Sequence, residues 1–179
     1  MLTAQAAWQL FTEYGYDNVT VADVCAAAEI APRTFHRYFP SKEDVVTEPM
    51  RRMVAIVADH ITGAPDTAAE TEVVLSAMRE LGAFVVAHTK WLRSLQTVLE
   101  QSAQLRAVHP VVPPDQEQDL FALLAARDPG TAQPDWRRRL LLACATAAFR
   151  IWYDEYLHGV PADPLAHLDE MLGTVVPAR

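Results

Sequence analysis

The sequence lacks the features that mark several large classes of protein. None of its 179 residues falls in an uninterrupted apolar run of the 18 or so residues that a membrane-spanning helix needs. The N-terminus does not show the basic-then-apolar pattern of a secretory signal peptide. We therefore expect a cytoplasmic protein with no membrane partner, built as one domain or as a small module attached to a larger one.

The sequence patterns of common enzymes and metal proteins are also missing. The chain has six glycines, none of them in a phosphate-cradling loop or a GxSxG turn, and its histidines lie nine or more residues apart. Neither HxxxH nor HExxH occurs. Asp154 and Glu155 are adjacent, so on a helix they point in different directions instead of forming a carboxylate pair. We expect no enzyme activity, no cofactor and no metal site.

Cysteine is nearly absent. The chain contains two cysteines, Cys25 and Cys144. Both lie in segments with a helical spacing of apolar residues. This setting predicts two reduced core thiols rather than a disulfide framework. A redox-sensing thiol is the alternative, and it would need an electropositive and accessible environment.

Positive charge is in deficit, because the formal net charge is −8. This balance argues against a general polyanion-binding surface, so any contact with nucleic acid must be made locally by a few side chains and helix ends. The segment "APRTFHRYFPSKEDV" (31–45) is an exception within the acidic chain. It gathers Arg33, Arg37 and Lys42 among the rings of Phe35, His36 and Tyr38.

Apolar residues recur at 3.6-residue spacing almost throughout, and strand signals are nearly absent, so we predict an all-α fold. Gly15 ends the first helix, and Thr20 begins a second helix with Asp23 as its capping-box partner. The dipeptide Ala31-Pro32 starts a third, very short helix that reaches about residue 38.

A fourth helix begins after Ser41, which forms a second capping box with Asp44. Pro49 should kink this helix, because proline removes one backbone hydrogen bond. Longer amphipathic helices follow at about 67–88, 91–107, 116–127, 136–157 and 164–175. The sequence therefore predicts three short helices, a connector and a larger five-helix body.

The second and third helices, joined by the tight turn Glu29-Ile30-Ala31, have the pattern of a helix-turn-helix. In such a motif the second helix lies in the major groove of DNA with its outer face free. Phe35 and Phe39 can point into the core. The exposed faces then carry side chains that can hydrogen-bond to bases or phosphates, namely Arg33, Thr34, His36 and Arg37. Surface cations are often simply solvated. Residue types alone therefore leave open the alternative that this helix-turn-helix does not bind DNA.

Helix starts near this motif could also bind anions. The N-termini at Thr20 and Ser41 offer backbone N–H groups. Lys42 lies in the first turn of the fourth helix, where a cation opposes the helix dipole. A DNA phosphate at this end would supply the missing negative charge.

The segment "VTVADVCAAAEIAPRTFHRYFPSKEDVV" (19–46), preceded by "AAWQLFTEYGYDN" (6–18), resembles the N-terminal DNA-binding domain of the TetR family of transcriptional regulators. The resemblance implies a helix-turn-helix domain over 1–46 and a helical ligand-binding and dimerisation domain over 47–179. It also implies contacts with a double-stranded DNA operator from Thr20, Arg33, Thr34, His36, Arg37, Tyr38 and Lys42.

Three positions depart from the family pattern. The family usually has glycine in the turn, where this chain has Glu29, and a non-glycine residue forced into a left-handed conformation costs about 1–2 kcal/mol. Ala31 replaces a serine cap, which loses roughly 1 kcal/mol. His36 replaces the commoner tyrosine. The chain also begins too near its first helix to show the basic arm that many members carry.

The body carries the expected dimer contact and effector site. The helices near 136–157 and 164–175 match the pair through which the family forms homodimers, and Ala143, Ala147 and Ala148 keep the first of them narrow. Side chains that could line an apolar pocket with polar tips are Met78, His88, Trp91, Leu95, Phe121, Trp152 and Tyr153. Most of them could equally be ordinary core residues.

The segments "VLEQSAQLRA" (98–107) and "PADPLAHLDEMLGTVV" (161–176) resemble the subgroup of the family that senses acyl-CoA-like or other lipophilic effectors. The sequence as a whole predicts a ligand-responsive transcriptional regulator, in most cases a repressor, that binds a palindromic operator as a dimer and is released by a small lipophilic effector. The alternative is an all-helical dimeric interaction module that has lost DNA binding.

Overall fold

The computed structural model describes residues 2–102, 105, 114–127, 135–159 and 162–175. Every regular element in these ranges is helical, which confirms the predicted all-α class. A short 3₁₀ turn, Tyr16–Asn18, follows the first helix. In chain order the α-helices are α1 (Leu2–Tyr14), α2 (Val21–Ala27), α3 (Pro32–Tyr38), α4 (Lys42–Gly63), α5 (Glu70–Ala87), α6 (Thr89–Gln101), α7 (Pro114–Ala126), α8 (Asp135–Leu157) and α9 (Pro164–Val175).

The ends of the short helices follow the predicted capping chemistry. Asp23 N donates to Thr20 Oγ1 over 3.2 Å, and Thr20 N donates back to Asp23 Oδ2 over 2.8 Å. Ser41 and Asp44 form the same reciprocal pair at 3.2 and 2.9 Å. Both capping boxes are therefore confirmed, and each satisfies two backbone donors that a helix start would otherwise leave unpaired. No side chain caps α3 at Ala31, as expected from its methyl group.

Helix boundaries differ from the prediction mainly in the body. The structure starts α5 at Glu70 instead of about 67 and ends α6 at Gln101 instead of about 107. Part of the predicted extension of α6 falls outside the described residues. Pro49 lies inside α4, as the sequence indicates.

The chain divides into two compact units. Residues 1–51 and 90–110 form the first, and residues 52–89 and 111–179 form the second. The sequence-based division at 46/47 is close to the first boundary, but it assigns α6 to the body, whereas α6 belongs almost wholly to the first unit. The functional roles of the two predicted domains stay a prediction.

The first unit is built around a small aromatic core. Phe11 of α1 is fully buried, and the Tyr16 ring packs edge-on against it with the centroids 5.1 Å apart. Val24 of α2 and Phe35 of α3 are also fully buried. One buried side chain from each short helix thus fixes α1, α2 and α3 together.

In the second unit, α8 packs against α5, α7 and α9. Gly82 of α5 permits close approach of α9, because a Cβ at this position would overlap the side chain of Leu168. The indole nitrogen of the buried Trp152 donates to the carbonyl of Pro164 over 2.6 Å. A buried guanidinium, Arg138, bonds Glu70 over 2.6 Å. These contacts fix α8 against the helices around it.

Arg127, just after α7, closes the C-terminal end of α4. Its guanidinium donates to the carbonyls of Ile61, Ala64 and Pro65 over 2.6–2.8 Å. A cation at this end also complements the helix dipole. None of the described helices is long and apolar enough to cross a membrane.

Glu29 adopts the left-handed conformation anticipated from its position, with φ of 53°. It follows the last turn of α2, where Glu29 N donates to Ala26 O and Ile30 N donates to Cys25 O. This pair of hydrogen bonds is a Schellman motif, in which glycine is the usual residue at Glu29's position.

We predict that Glu29→Gly stabilises the protein. Glycine has no Cβ penalty at positive φ, and its extra freedom in the unfolded chain offsets part of that gain, so the net increase in unfolding free energy should be about 0.5–1 kcal/mol. Urea denaturation followed by circular dichroism measures it. Glu29→Ala is the matched control, since it removes the same charge but keeps the Cβ. Equal stability of the two variants would contradict the claim that the Cβ of Glu29 strains the backbone at this positive φ.

Candidate nucleic-acid interface

The α2–turn–α3 segment presents one side of α3 to solvent. Phe35 is fully buried and anchors the helix to the first unit. Thr34 is half-buried, and the remaining four predicted contact residues of α3 are exposed, namely Arg33, His36, Arg37 and Tyr38. One buried side chain thus packs this seven-residue helix against the first unit, and most of its polar side chains are exposed and available to contact DNA.

Arg37 and Tyr38 form a pair on this exposed side. The Arg37 guanidinium lies 4.7 Å from the centroid of the Tyr38 ring, and its Nη2 donates to the Tyr38 hydroxyl over 2.9 Å. The hydroxyl hydrogen and the remaining guanidinium N–H groups are still available as donors. Because Tyr38 is 61% exposed, the pair suits an anionic partner such as a phosphate.

His36 makes a different local contact. Its Nδ1 lies 3.2 Å from the carbonyl oxygen of Pro40. Its ring meets that of Phe35 edge-to-face, with centroids 5.4 Å apart and planes at 88°. The imidazole is therefore exposed but held in one orientation.

Thr20 is used within its own capping box. Its hydroxyl accepts from Asp23 N and donates to Asp23 Oδ2 over 2.6 Å. Hydrogen bonds from the Thr20 hydroxyl and from the Thr20 backbone N–H to this carboxylate lower the pKa of Asp23. A DNA contact by Thr20 would have to use the second lone pair of this hydroxyl.

Lys42 points into the first unit. Its ammonium donates to the carbonyls of Tyr16 and Val19, each over 2.8 Å, and lies 4.0 Å from the centroid of the Tyr16 ring. These contacts tie the start of α4 to the turn between α1 and α2. Two carbonyl dipoles and a ring thus compensate the Lys42 charge, where the sequence predicts a DNA phosphate. DNA contact by Lys42 remains a prediction, and it would use the third N–H of the ammonium group.

The predicted anion sites at the helix starts already hold carboxylates. At α4, the guanidinium of Arg51 and the Ser41 hydroxyl lower the pKa of Asp44. A hydrogen bond from its own backbone N–H lowers the pKa of Glu43. Burial raises the pKa of the nearby Tyr16 phenol. These ends are therefore less open to a phosphate than the sequence alone suggested.

Comparison with known proteins agrees with this geometry. Residues 4–48 match the sequence profile of the family described as bacterial regulatory proteins, tetR family. The HTH-type transcriptional regulator TcmR of Streptomyces glaucescens is 26% identical over 161 residues, covering 82% of this chain and 70% of TcmR. Residues 4–48 therefore resemble the tetR family of bacterial regulatory proteins, and the chain as a whole resembles a transcriptional regulator. Members of this family are regulators and not enzymes.

Solved structures of TetR-like regulators share the fold over nearly the whole chain. The fatty acid degradation regulator FadR from Bacillus halodurans is 21% identical, with a TM-score of 0.61, and the match covers 97% of this chain and 92% of that one. FadR from Thermus thermophilus, solved in complex with lauroyl-CoA, is 20% identical with a TM-score of 0.55, covering 97% and 91%. At these identities the likeness shows the fold.

The seven predicted effector contacts are divided between the two units, and their role in binding stays a prediction. Trp91 and Leu95 lie on α6, in the first unit, and the other five lie in the second. Within the second unit, Met78, Trp152 and Tyr153 are buried, Phe121 is half-buried beneath the guanidinium of Arg139, and His88 is exposed after α5.

A small apolar cavity in the second unit gives a more compact candidate site. It lies between α4, α5, α7 and α8 and has a volume of about 20 Å³. Met78 is the predicted residue that lines it. Sequence reasoning missed the α4 wall, formed by Met53, Val54 and Val57. Their helical spacing is visible in the sequence, but the predicted role of α4 is that of a connector.

We predict that Lys42→Met destabilises the protein. It keeps an apolar stem but leaves two carbonyls without their charged donor, and hydrogen bonds to charged groups contribute about 1.5–3 kcal/mol. Chemical denaturation should therefore give a loss of unfolding free energy in this range. Arg33→Met is the control, because it removes an exposed cation of the same motif and should change stability by no more than about 0.5 kcal/mol. Equal effects of the two changes would contradict the structural role of Lys42.

Proposed function

We propose that this protein is a dimeric, ligand-responsive repressor that binds a palindromic DNA operator through α3. The observation that carries the proposal is the exposed cationic side of α3, with Arg33 and Arg37 outside and Phe35 fully buried behind them. Guanidinium groups bind guanine edges or phosphates with paired hydrogen bonds. In a chain of net charge −8, two exposed arginines on one short helix provide a local site for a polyanion.

An apolar stripe on α8 supports the dimer. Several residues on one side of this helix are exposed to solvent although they are apolar or small. The large ones are Trp136 (58% exposed), Leu140 (55%) and Ile151 (48%), with Ala143 and Ala147 exposed between them. They recur at intervals of three or four residues, as a helix-packing surface does. Pairing this stripe with its copy would remove the apolar area from water and present two α3 helices to two half-sites.

The small apolar cavity is where we place a lipophilic effector that releases the operator. Binding pockets for small molecules usually measure about 300–1,000 Å³, whereas this cavity measures about 20 Å³. An effector can enter only if the surrounding helices move apart, and one wall belongs to α4. Because α4 begins next to α3 in the sequence, an effector that favours the displaced position of α4 would lower DNA affinity by linkage. The lauroyl-CoA held by FadR from Thermus thermophilus supports an acyl-chain ligand as the first class to test.

A dimeric interaction module without DNA binding is the second candidate. The strained Glu29 and the uncapped start of α3 at Ala31 favour it, since both weaken the hold on the recognition helix. DNA binding by the purified protein separates the two functions.

We predict that Arg37→Ala lowers affinity for DNA selected from random sequences by about 10- to 100-fold. Fluorescence anisotropy at about 50 and 200 mM salt should also give a steep loss of affinity with salt for the wild type, because phosphate contacts release counterions. Arg93→Ala, an exposed arginine of α6, is the control and should bind as the wild type does. An Arg37→Ala variant that binds equally well would contradict the assignment of α3 as the contact helix.

We predict that the double change Leu140→Asp and Ile151→Asp converts the dimer into a monomer, because dimerisation would bury four carboxylates in the paired stripes. Sedimentation velocity gives the mass in solution. Thr97→Asp, exposed on α6, adds a carboxylate elsewhere and should leave the dimer intact. A wild-type monomer, or a double variant that stays dimeric, would show that the stripe is not the dimer contact.

A further inference from the structure

The contact between His36 and Pro40 fixes the tautomer of the imidazole. A carbonyl oxygen can only accept a hydrogen bond, so the Nδ1 that lies 3.2 Å from Pro40 O must carry the hydrogen. A neutral imidazole has one N–H, and Nε2 is then left with its lone pair. The backbone therefore makes Nε2 of His36 a hydrogen-bond acceptor.

This acceptor lies on the exposed side of the recognition helix. His36 is exposed, and the edge-to-face contact with the fully buried Phe35 holds its ring in place. Among the described residues, Nε2 has no hydrogen-bond partner. The neighbouring arginines, Arg33 and Arg37, can only donate. His36 thus adds a hydrogen-bond acceptor to a surface whose other polar side chains mainly donate.

We infer that His36 is a specificity-determining residue that reads an exocyclic amino group in the major groove, either adenine N6 or cytosine N4. Both groups donate hydrogen bonds there, whereas guanine O6 and thymine O4 accept them. A phosphate oxygen also accepts, so this tautomer cannot serve the phosphate contact that a tyrosine hydroxyl could make. The inference rests on the proposed DNA-binding function and adds the chemical class of base that is read.

The consequence is a recognisable degeneracy in the operator. At one position in each half-site, the strand that faces His36 should accept adenine or cytosine and reject guanine or thymine. A wrong base at such a position should weaken binding about tenfold. This pattern differs from that of an asparagine or glutamine, which pairs with adenine through both N6 and N7.

Selection from random duplexes with the wild type and two variants tests the inference. His36→Lys replaces an acceptor with a donor and should switch the preferred base at that position to guanine or thymine. His36→Gln should narrow the preference to adenine. His158→Lys is the matched control, because His158 is also exposed and its Nδ1 also bonds a backbone carbonyl, Asp154 O at 2.6 Å. His158 lies just after α8, in the second unit. This control variant should select the wild-type sequence.

The outcomes separate the inference from the proposed function. If the wild type enriches no sequence, both fail. If it enriches an operator whose base preferences are unchanged by His36→Lys, only the role of His36 is overturned. Circular dichroism must show that each variant retains the wild-type helix content and unfolding midpoint. Nitrogen chemical shifts of the ring give an independent check, since a proton on Nε2 instead of Nδ1 in the neutral form would also overturn the inference.

Discussion

Burial of Phe35 is the contact on which the proposed DNA binding of this molecule depends. Helix α3 has seven residues, and a helix of this length is not stable in water without tertiary packing. It also lacks a side-chain cap at Ala31. The fully buried ring of Phe35 therefore determines which side of α3 faces the solvent, and the positions of the exposed arginines and of His36 follow from it.

Lys42 also stabilises the first unit, and its contacts there compete with phosphate binding. Its ammonium bonds two backbone carbonyls and lies over the Tyr16 ring, so it stabilises the junction of α1, α2 and α4. A lysine committed in this way has less capacity to bind phosphate. The proposed DNA contact then depends more on Arg33 and Arg37, the cations that remain exposed on α3.

Local signals made much of the first unit predictable. Both capping boxes, the proline at the start of α3 and the left-handed Glu29 depend on residues within a few positions of one another, and all were found in the sequence. The partners of Lys42 were not predictable, because backbone carbonyls leave no side-chain signature. The α4 wall of the cavity and the grouping of α6 with the first unit depend on contacts between distant segments, which a single sequence does not specify. The proposed DNA-contact and effector residues remain predictions.

The most direct measurement of the central claim is a methylation-interference footprint of the wild-type protein on a selected operator. A dimer that inserts α3 into the major groove predicts two patches of interference at guanine N7, related by the symmetry of the operator and separated by about 10 base pairs or a multiple of that spacing. Interference in a single patch would contradict the dimeric mode of binding. Binding that is insensitive to guanine N7 methylation throughout would contradict the assignment of α3 to the major groove.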